Sequence, residues 1–288
     1  MCRRLVAAGY DVTAFDLNRD ALQKTVEAGA RAGDSAAVCA RNVDVFLTSL
    51  PRPDHVASVM DGEDGALAAL RPGSLWVDLT TNAKELVIDL ASRAPTGVSV
   101  VDSPVTGAVD GARTGTLTLF IGGAEEPVAR ASEVLNHLGT VIACGPLGTG
   151  NVVKLVTNQL WFIAAAAIGE GFAVGLANGV ELGTLWHAIK ESVGDSFVAR
   201  HDAPSIFAGH YDPSFSLDLC LKDLGLLQQL GANVGADLPM TDAANRVFGA
   251  AGERYGTEVG ELHVAKLLED DAGLSMRLDG DWVPHWEK

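Results

Sequence analysis

The apolar pattern changes kind near Gly148, and that change constrains the fold of these 288 residues more than any other feature. Up to about Gly145, apolar runs of strand length alternate with segments of helical spacing. MCRRLVAAG reads as a helix ending at Gly9, and DVTAFD as a short strand closing on Asp16. A helix follows over roughly 20–28, then the strand VDVFLTSL, a helix near 55–60, a helical turn at 65–70, the strand SLWVDLT and a helix over 84–93. VSVVD, GTLTLFIGG, a helix over 126–138 and a short strand around TVIACG complete the series. Such an order predicts a mostly parallel α/β sheet with right-handed crossovers. Beyond Gly148 the strand signal ends. One long helical pattern covers 151–178, and 182–193, 199–207, 216–234, 239–253 and 258–269 read as further helices. We therefore expect an α/β domain over 1–147 and an all-helical domain over 148–288.

Where such a domain binds a dinucleotide, an acidic residue ending the second strand takes hydrogen bonds from ribose hydroxyls, about 20 residues past a Gly-rich turn. Asp16 has that place, although it also fits a turn or cap residue. Counting back from it runs off the start of the sequence. The expectation is that the sequence begins inside the first helix, without the first strand and the GxGxxG turn, through a start assigned late or a true truncation. A carboxylate at Asp16 would repel a 2′-phosphate and favour NAD over NADP, with Arg19 close enough to pull the other way. Leu50 and Pro51 close VDVFLTSL, and Thr80 and Thr81 close SLWVDLT. Ligands of open parallel sheets lie beyond the carboxyl ends of strands, so these four residues sit either along a cofactor or in ordinary turns.

Two segments carry further chemistry. In DSPVTGAVDGARTGTLTLFIGG, almost no side chain stands in the way at Thr106, Gly107 and Ala108, so backbone N–H groups and a hydroxyl can approach a carboxylate. In GTGNVVKLVTNQL, Lys154 and Asn158 are four apart and share one helix face. An amine beside an amide suits a substrate hydroxyl, and a lysine acting as base must first be neutral. Taken alone, the same residues also fit a surface turn and a solvated lysine. Lys222 and Asp223, in LCLKDLGLL, are either a solvated pair or part of a site.

The formal net charge of -16, with no local basic patch, argues against nucleic acid and against an anionic membrane surface. Cys2, Cys39, Cys144 and Cys220 are too scattered for a metal-ligand pair, a CxxC motif or a disulfide framework, which suits a cytoplasmic protein. No metal is expected, and no signal peptide is read. The apolar run Leu160 to Gly169 is too short to span a bilayer. Residues 160–175, apolar nearly all round, predict a helix buried on most sides and a homodimer or homotetramer. The tail with Trp282 and Trp286 carries no signal.

Six segments, AGYDVTAFD, TSLPRPDHV, DLTTNAKE, DSPVTGAVDGARTGTLTLFIGG, GPLGTGNVVKLVTNQL and SFSLDLCLKDLGLL, together resemble the β-hydroxyacid dehydrogenases in order and spacing. That group includes 3-hydroxyisobutyrate dehydrogenase, tartronate semialdehyde reductase and, more distantly, 6-phosphogluconate dehydrogenase. The resemblance implies a Rossmann-type domain followed by a helical one, a nicotinamide cofactor, and a small β-hydroxy acid or its aldehyde or keto form. It implies Lys154 as the catalytic lysine, Asn158 as its substrate-positioning neighbour, and Thr106 with Gly107 as the carboxylate cradle. It places Leu50, Pro51, His55, Thr81 and Lys222 along the cofactor. The chain departs from the pattern at Ala108, where the family usually has Gly, and at His55, where it often has Asn. Two other readings share the same motifs: an imine reductase, against which Lys154 speaks, and a cofactor-incompetent paralogue with a binding role.

Overall fold

In this computed structural model residues 1–282 are described, so Trp286 lies outside the described residues. The chain divides into two compact units, Met1–Lys154 and Leu155–Lys288. The division falls inside a helix, several residues past the boundary expected at 147.

The first unit runs α1 (Cys2–Ala7), β1 (Thr13–Ala14), α2 (Arg19–Val26), β2 (Arg31–Ala32), α3 (Ala36–Ala40), β3 (Val45–Thr48), α4 (Pro53–Asp61), β4 (Leu75–Asp78), α5 (Lys84–Ser92), β5 (Ser99–Asp102), β6 (Val105–Thr106), α6 (Ala108–Thr114), β7 (Leu117–Gly122), α7 (Glu125–Leu135) and β8 (Gly139–Gly145). A single 3₁₀ turn, Leu67–Ala69, replaces the helical turn expected at 65–70. Strand β4 shows why the sheet is central. Its four residues are all buried, with Leu75 and Val77 packed in one apolar cluster with Leu117 and Leu135, and Trp76 in another with Met60 and Leu90. Helices cover both faces, so the strand reads as a continuous apolar run rather than an alternating one.

Strands β3, β4 and β5 are parallel, β7 is antiparallel to β5 and β6, and β8 lies parallel beside β7. The expected sheet is interrupted. β1 and β2 form a separate parallel pair, and β3 opens a six-stranded sheet of order β3-β4-β5-β7-β6, with β8 as a sixth strand paired to β7.

In the second unit the helices are α8 (Thr149–Ala177), whose first turns belong to the first unit, α9 (Leu182–Lys190), α10 (Ala203–Ala208), α11 (Leu217–Val234), α12 (Pro239–Tyr255) and α13 (His263–Ala272). A π-helical turn, Val198–Asp202, leads into α10. Phe162 and Phe172 of α8, Phe207, Cys220, Leu224 and Phe248 centre one core, with the Phe162 and Phe248 rings 5.5 Å apart. The apolar run at 160–169 is embedded in a helix of 29 residues that includes an 18-residue stretch of mean hydropathy 1.8, long and apolar enough to cross a membrane by length and composition. That corrects the length argument made from the run alone. The helix is also not buried on most sides. Phe162, Ala165 and Phe172 face the core, whereas Leu160 and Val174 are each 64% exposed, and Val156, Ala167 and Gly171 lie on the same outward stripe.

Candidate active site

Lys154 lies in the second turn of α8 and is only 5% exposed. It is a buried amine, which removes the reading of a solvated surface lysine. What fixes the start of its helix is Asp102, the last residue of β5. One carboxylate oxygen, Oδ1, accepts the Gly148 N–H at 2.6 Å. The other, Oδ2, accepts the Asn151 N–H at 2.7 Å and its side-chain Nδ2 at 3.0 Å. Three donors therefore converge on one buried carboxylate, occupying N–H groups that a helix start would otherwise leave open. The approach is close: a Cβ on Gly150 would stand 2.1 Å from the Phe120 carbonyl oxygen and 2.9 Å from Asp102 Oδ2. Only glycine lets the helix start this near to β7. Burial pushes the Asp102 carboxyl up to about 6, against the lowering effect of these donors.

The polar contacts continue along the carboxyl ends of the parallel strands. Asn151 Oδ1 accepts the Asn82 N–H at 2.7 Å, and Asn82 Nδ2 donates to Asp78 Oδ2 at 2.9 Å. Asp78 Oδ1 accepts from the Thr48 hydroxyl at 2.9 Å and the Thr80 N–H at 3.1 Å. Thr48 Oγ1 also accepts the Trp76 indole N–H at 2.9 Å. Thr80 Oγ1 takes the Leu50 N–H at 3.0 Å, tying the loop after β3 to the loop after β4. Asp78, Asn82, Asp102 and Asn151 are all fully buried. Burial raises the Asp78 carboxyl as well, opposed by its bonds from Asn82, Thr80 and Thr48.

Thr106 ends β6, and the segment read as a small-residue turn continues from it into α6. Gly107, at φ 115°, makes the left-handed turn that starts this helix. Ala108 follows at φ 52°, a conformation that glycine takes freely and alanine does not. Thr106 is half-buried and Gly107 exposed, so this backbone is open to a ligand.

Asp16 is exposed just past β1. Its Oδ1 accepts the Asn18 N–H at 2.8 Å, and Asn18 in turn caps α2 through Asp20 and Ala21. Oδ2 has no hydrogen bond to another described residue. Leu50 is half-buried, and Pro51 and Thr81 join it in the loops at the ends of β3 and β4. His55, on the first turn of α4, is 48% exposed with Nε2 3.9 Å from Asp54 Oδ2.

Within the second unit, Asn158 Nδ2 donates to Asp223 Oδ2 at 2.6 Å. The Lys222 ammonium lies 2.9 Å from Asp223 Oδ1 with its side chain 8% exposed, so the pair is not a solvated one. Asp223 thus holds both candidates. The sequence pairs Lys222 with Asp223 but gives no link from either to Asn158, and it does not mark Asp78, Asn82, Asp102 and Asn151. The signal present is an acidic residue closing an apolar run in each of two strands, WVD and VVD.

A parallel α/β unit with ligand-facing loops at its strand ends, leading into a helix headed by a buried lysine, is the arrangement of a dinucleotide-dependent oxidoreductase. Residues 1–146 match the NAD binding domain of 6-phosphogluconate dehydrogenase, and residues 148–268 the NAD-binding domain of NADP-dependent 3-hydroxyisobutyrate dehydrogenase. The chain belongs to the β-hydroxyacid dehydrogenase family. It is 34% identical over 257 residues to a 3-hydroxyisobutyrate dehydrogenase of Pseudomonas aeruginosa, covering 86% of each chain. It is 31% identical over 280 residues to a 2-(hydroxymethyl)glutarate dehydrogenase of Eubacterium barkeri, covering 96% of this chain and 93% of the relative. A solved structure of Mycobacterium tuberculosis 3-hydroxyisobutyrate dehydrogenase with L-serine superposes at a TM-score of 0.85 and 28% identity, over 93% of this chain and 94% of that one.

Proposed function

We propose that the chain oxidises the hydroxyl of a small β-hydroxy acid, or reduces the corresponding carbonyl, with Lys154 moving the hydroxyl proton. The observation that carries this reading is the burial of Lys154 at the clamped head of α8, one turn from the buried Asn158. Relatives named for 3-hydroxyisobutyrate and 2-(hydroxymethyl)glutarate support the substrate class. The nicotinamide supplies the hydride chemistry, and the chain supplies binding, orientation and a proton. In the direction of oxidation Lys154 accepts the proton of the hydroxyl, and in reduction it returns one. Thr106 and Gly107 receive the carboxylate. Asn158 positions the substrate, its amide oriented by Asp223, which also fixes Lys222 for the cofactor. Asp16 takes the ribose, and Leu50, Pro51, His55 and Thr81 line the cofactor, with NAD preferred to NADP. An imine reductase reading is disfavoured by the presence of Lys154.

The test is Lys154→Ala assayed with 3-hydroxyisobutyrate and L-serine. A fall in kcat of about a hundredfold or more is expected for loss of a positioned acid or base. A folded variant keeping more than half the rate removes Lys154 from the mechanism. We also assign the outward stripe of α8 (Val156, Leu160, Ala167, Gly171 and Val174) to self-association as a homodimer or homotetramer. Light scattering that returns only the 30.0 kDa mass would overturn that assignment.

A further inference from the structure

We propose that Asn151 is a positioning residue for Lys154, acting as a strut that ties the head of α8 to the loop after β4. Asn151 and Lys154 are three residues apart on one helix, so they are neighbours on its surface. The Asn151 side chain bonds no backbone group of α8. Its Oδ1 accepts from the Asn82 N–H, and its Nδ2 donates to Asp102 Oδ2. Needs of the helix itself are met elsewhere, because the Gly148 and Asn151 N–H groups reach Asp102 without any help from this amide. What the side chain adds is a cross-link between two other elements.

The cross-link has one allowed orientation. Rotating the amide by half a turn would aim Nδ2 at the Asn82 N–H and Oδ1 at the Asp102 carboxylate, replacing two bonds by two repulsive pairs. Asn82 is pinned in turn, with Oδ1 accepting the Ala83 N–H at 2.8 Å and Nδ2 held by Asp78. An amide at 0% exposure is costly to bury unless every contact is made. An apolar side chain would fill the space without that liability, but it would not fix the distance between the two elements. Because the Asn82 N–H is a backbone group, a shift of the β4 loop pulls directly on the first turn of α8. Lys154 then keeps its height relative to Thr80 and Thr81 only while the strut is intact.

This inference rests on Lys154 being the proton carrier, and a double-mutant cycle separates the two claims. Asn151→Ala is expected to lower kcat with L-serine or 3-hydroxyisobutyrate by about tenfold or more, with KM and the Kd for NAD within about threefold. In a Lys154→Ala background the same change should alter the residual rate by less than about twofold, since a strut acting through the lysine has nothing left to position. Equal losses in both backgrounds would mean general loosening and would overturn the strut. A full loss in Lys154→Ala with less than about threefold in Asn151→Ala sinks the strut alone, whereas an active Lys154→Ala sinks the reading beneath it. Should Asn151→Ala fail to fold, Asn151→Ser, whose shorter side chain reaches neither partner but keeps a polar group at the site, takes its place. Amide exchange over 148–154 needs no turnover. It should speed by about tenfold or more in the Asn151 variant, and unchanged exchange overturns the strut whatever the rates.

Discussion

Glu261→Gln should make the protein more stable at neutral pH and change the pH dependence of that stability. Glu261 follows Gly260, which bridges to Ser216, and its own N–H donates to the Phe215 carbonyl at 2.9 Å. The side chain is completely buried, and neither carboxyl oxygen has a hydrogen-bond partner among the described residues. Burial pushes this carboxyl well above the usual 4.5, and the acidic Asp212 and Asp202 push in the same direction. The buried Cys220 thiol, raised chiefly by its burial, stays neutral beside it. Glu261 therefore folds with its proton on. In the unfolded chain it is ionised above pH 4.5, so folding takes up a proton. The stability that the protonated state contributes is complete below pH 4.5 and declines as pH rises toward the folded value.

Each pH unit between 4.5 and the raised folded value costs about 1.4 kcal/mol of proton uptake. Glutamine has the same shape and no such cost, but it buries an extra N–H, for about 1–3 kcal/mol. Glu261→Gln therefore gains on the wild type by up to about 1.4 kcal/mol for each pH unit climbed above 4.5, until the folded value is reached, less the cost of that N–H. The increase in that gain between about pH 5.5 and about pH 7.5 does not depend on the N–H correction. Asp102, raised to about 6, gives the wild type a further decline in stability as pH climbs from about 4 to about 6, but it is common to both proteins and cancels. Urea unfolding of both proteins at both pH values measures the quantity. If the variant differs from wild type by the same amount at each pH, Glu261 does not fold protonated, and the reasoning fails.

Two further perturbations address the first unit. The wild type should prefer NAD to NADP in kcat/KM, and Asp16→Ala should narrow that preference by about tenfold, as expected when a carboxylate that repels a 2′-phosphate is removed; a wild-type preference for NADP would shift the weight to Arg19. Ala108→Gly should raise stability by about 0.5–1 kcal/mol, the left-handed strain of alanine less the greater unfolded freedom of glycine, and a lower Tm would refute the strain at φ 52°.

The alternation of strands and helices was legible because most of these elements carry their own apolar signal. Leu75, Trp76 and Val77 are buried on both faces of the sheet, and Phe162 and Phe172 mark the inner side of a long helix. Where side chains are small the signal failed. The residues of α6, AVDGART, read as a turn, but Gly107 bends the chain into a helix whose Gly111 packs on Leu117. The pair β1 and β2 has only two residues per strand, too few for a period to show, and β2 and α3 went unmarked. At the site, the four-residue spacing exposed Lys154 and Asn158. Asn82 and Asn151 gave no sign, because their meeting spans 69 residues and depends on where the strands end. The outward face of α8 was hidden for a different reason. An apolar stripe looks the same in sequence whether it meets the chain's own core or remains open.

The bond from the Trp76 indole to Thr48 has an optical consequence. This ring is fully buried, and its N–H donates to a hydroxyl that itself donates to Asp78. Of the chain's 5 tryptophans, Trp161, Trp186 and Trp282 belong to the second unit, and Trp286 lies outside the described residues. Replacing those four by phenylalanine leaves a single emitter wired to the carboxyl ends of the parallel strands. Its emission colour and lifetime follow the polarity at its N–H, so the loops that would grip a cofactor come with a lamp of their own, readable on the nanosecond scale and without any added label.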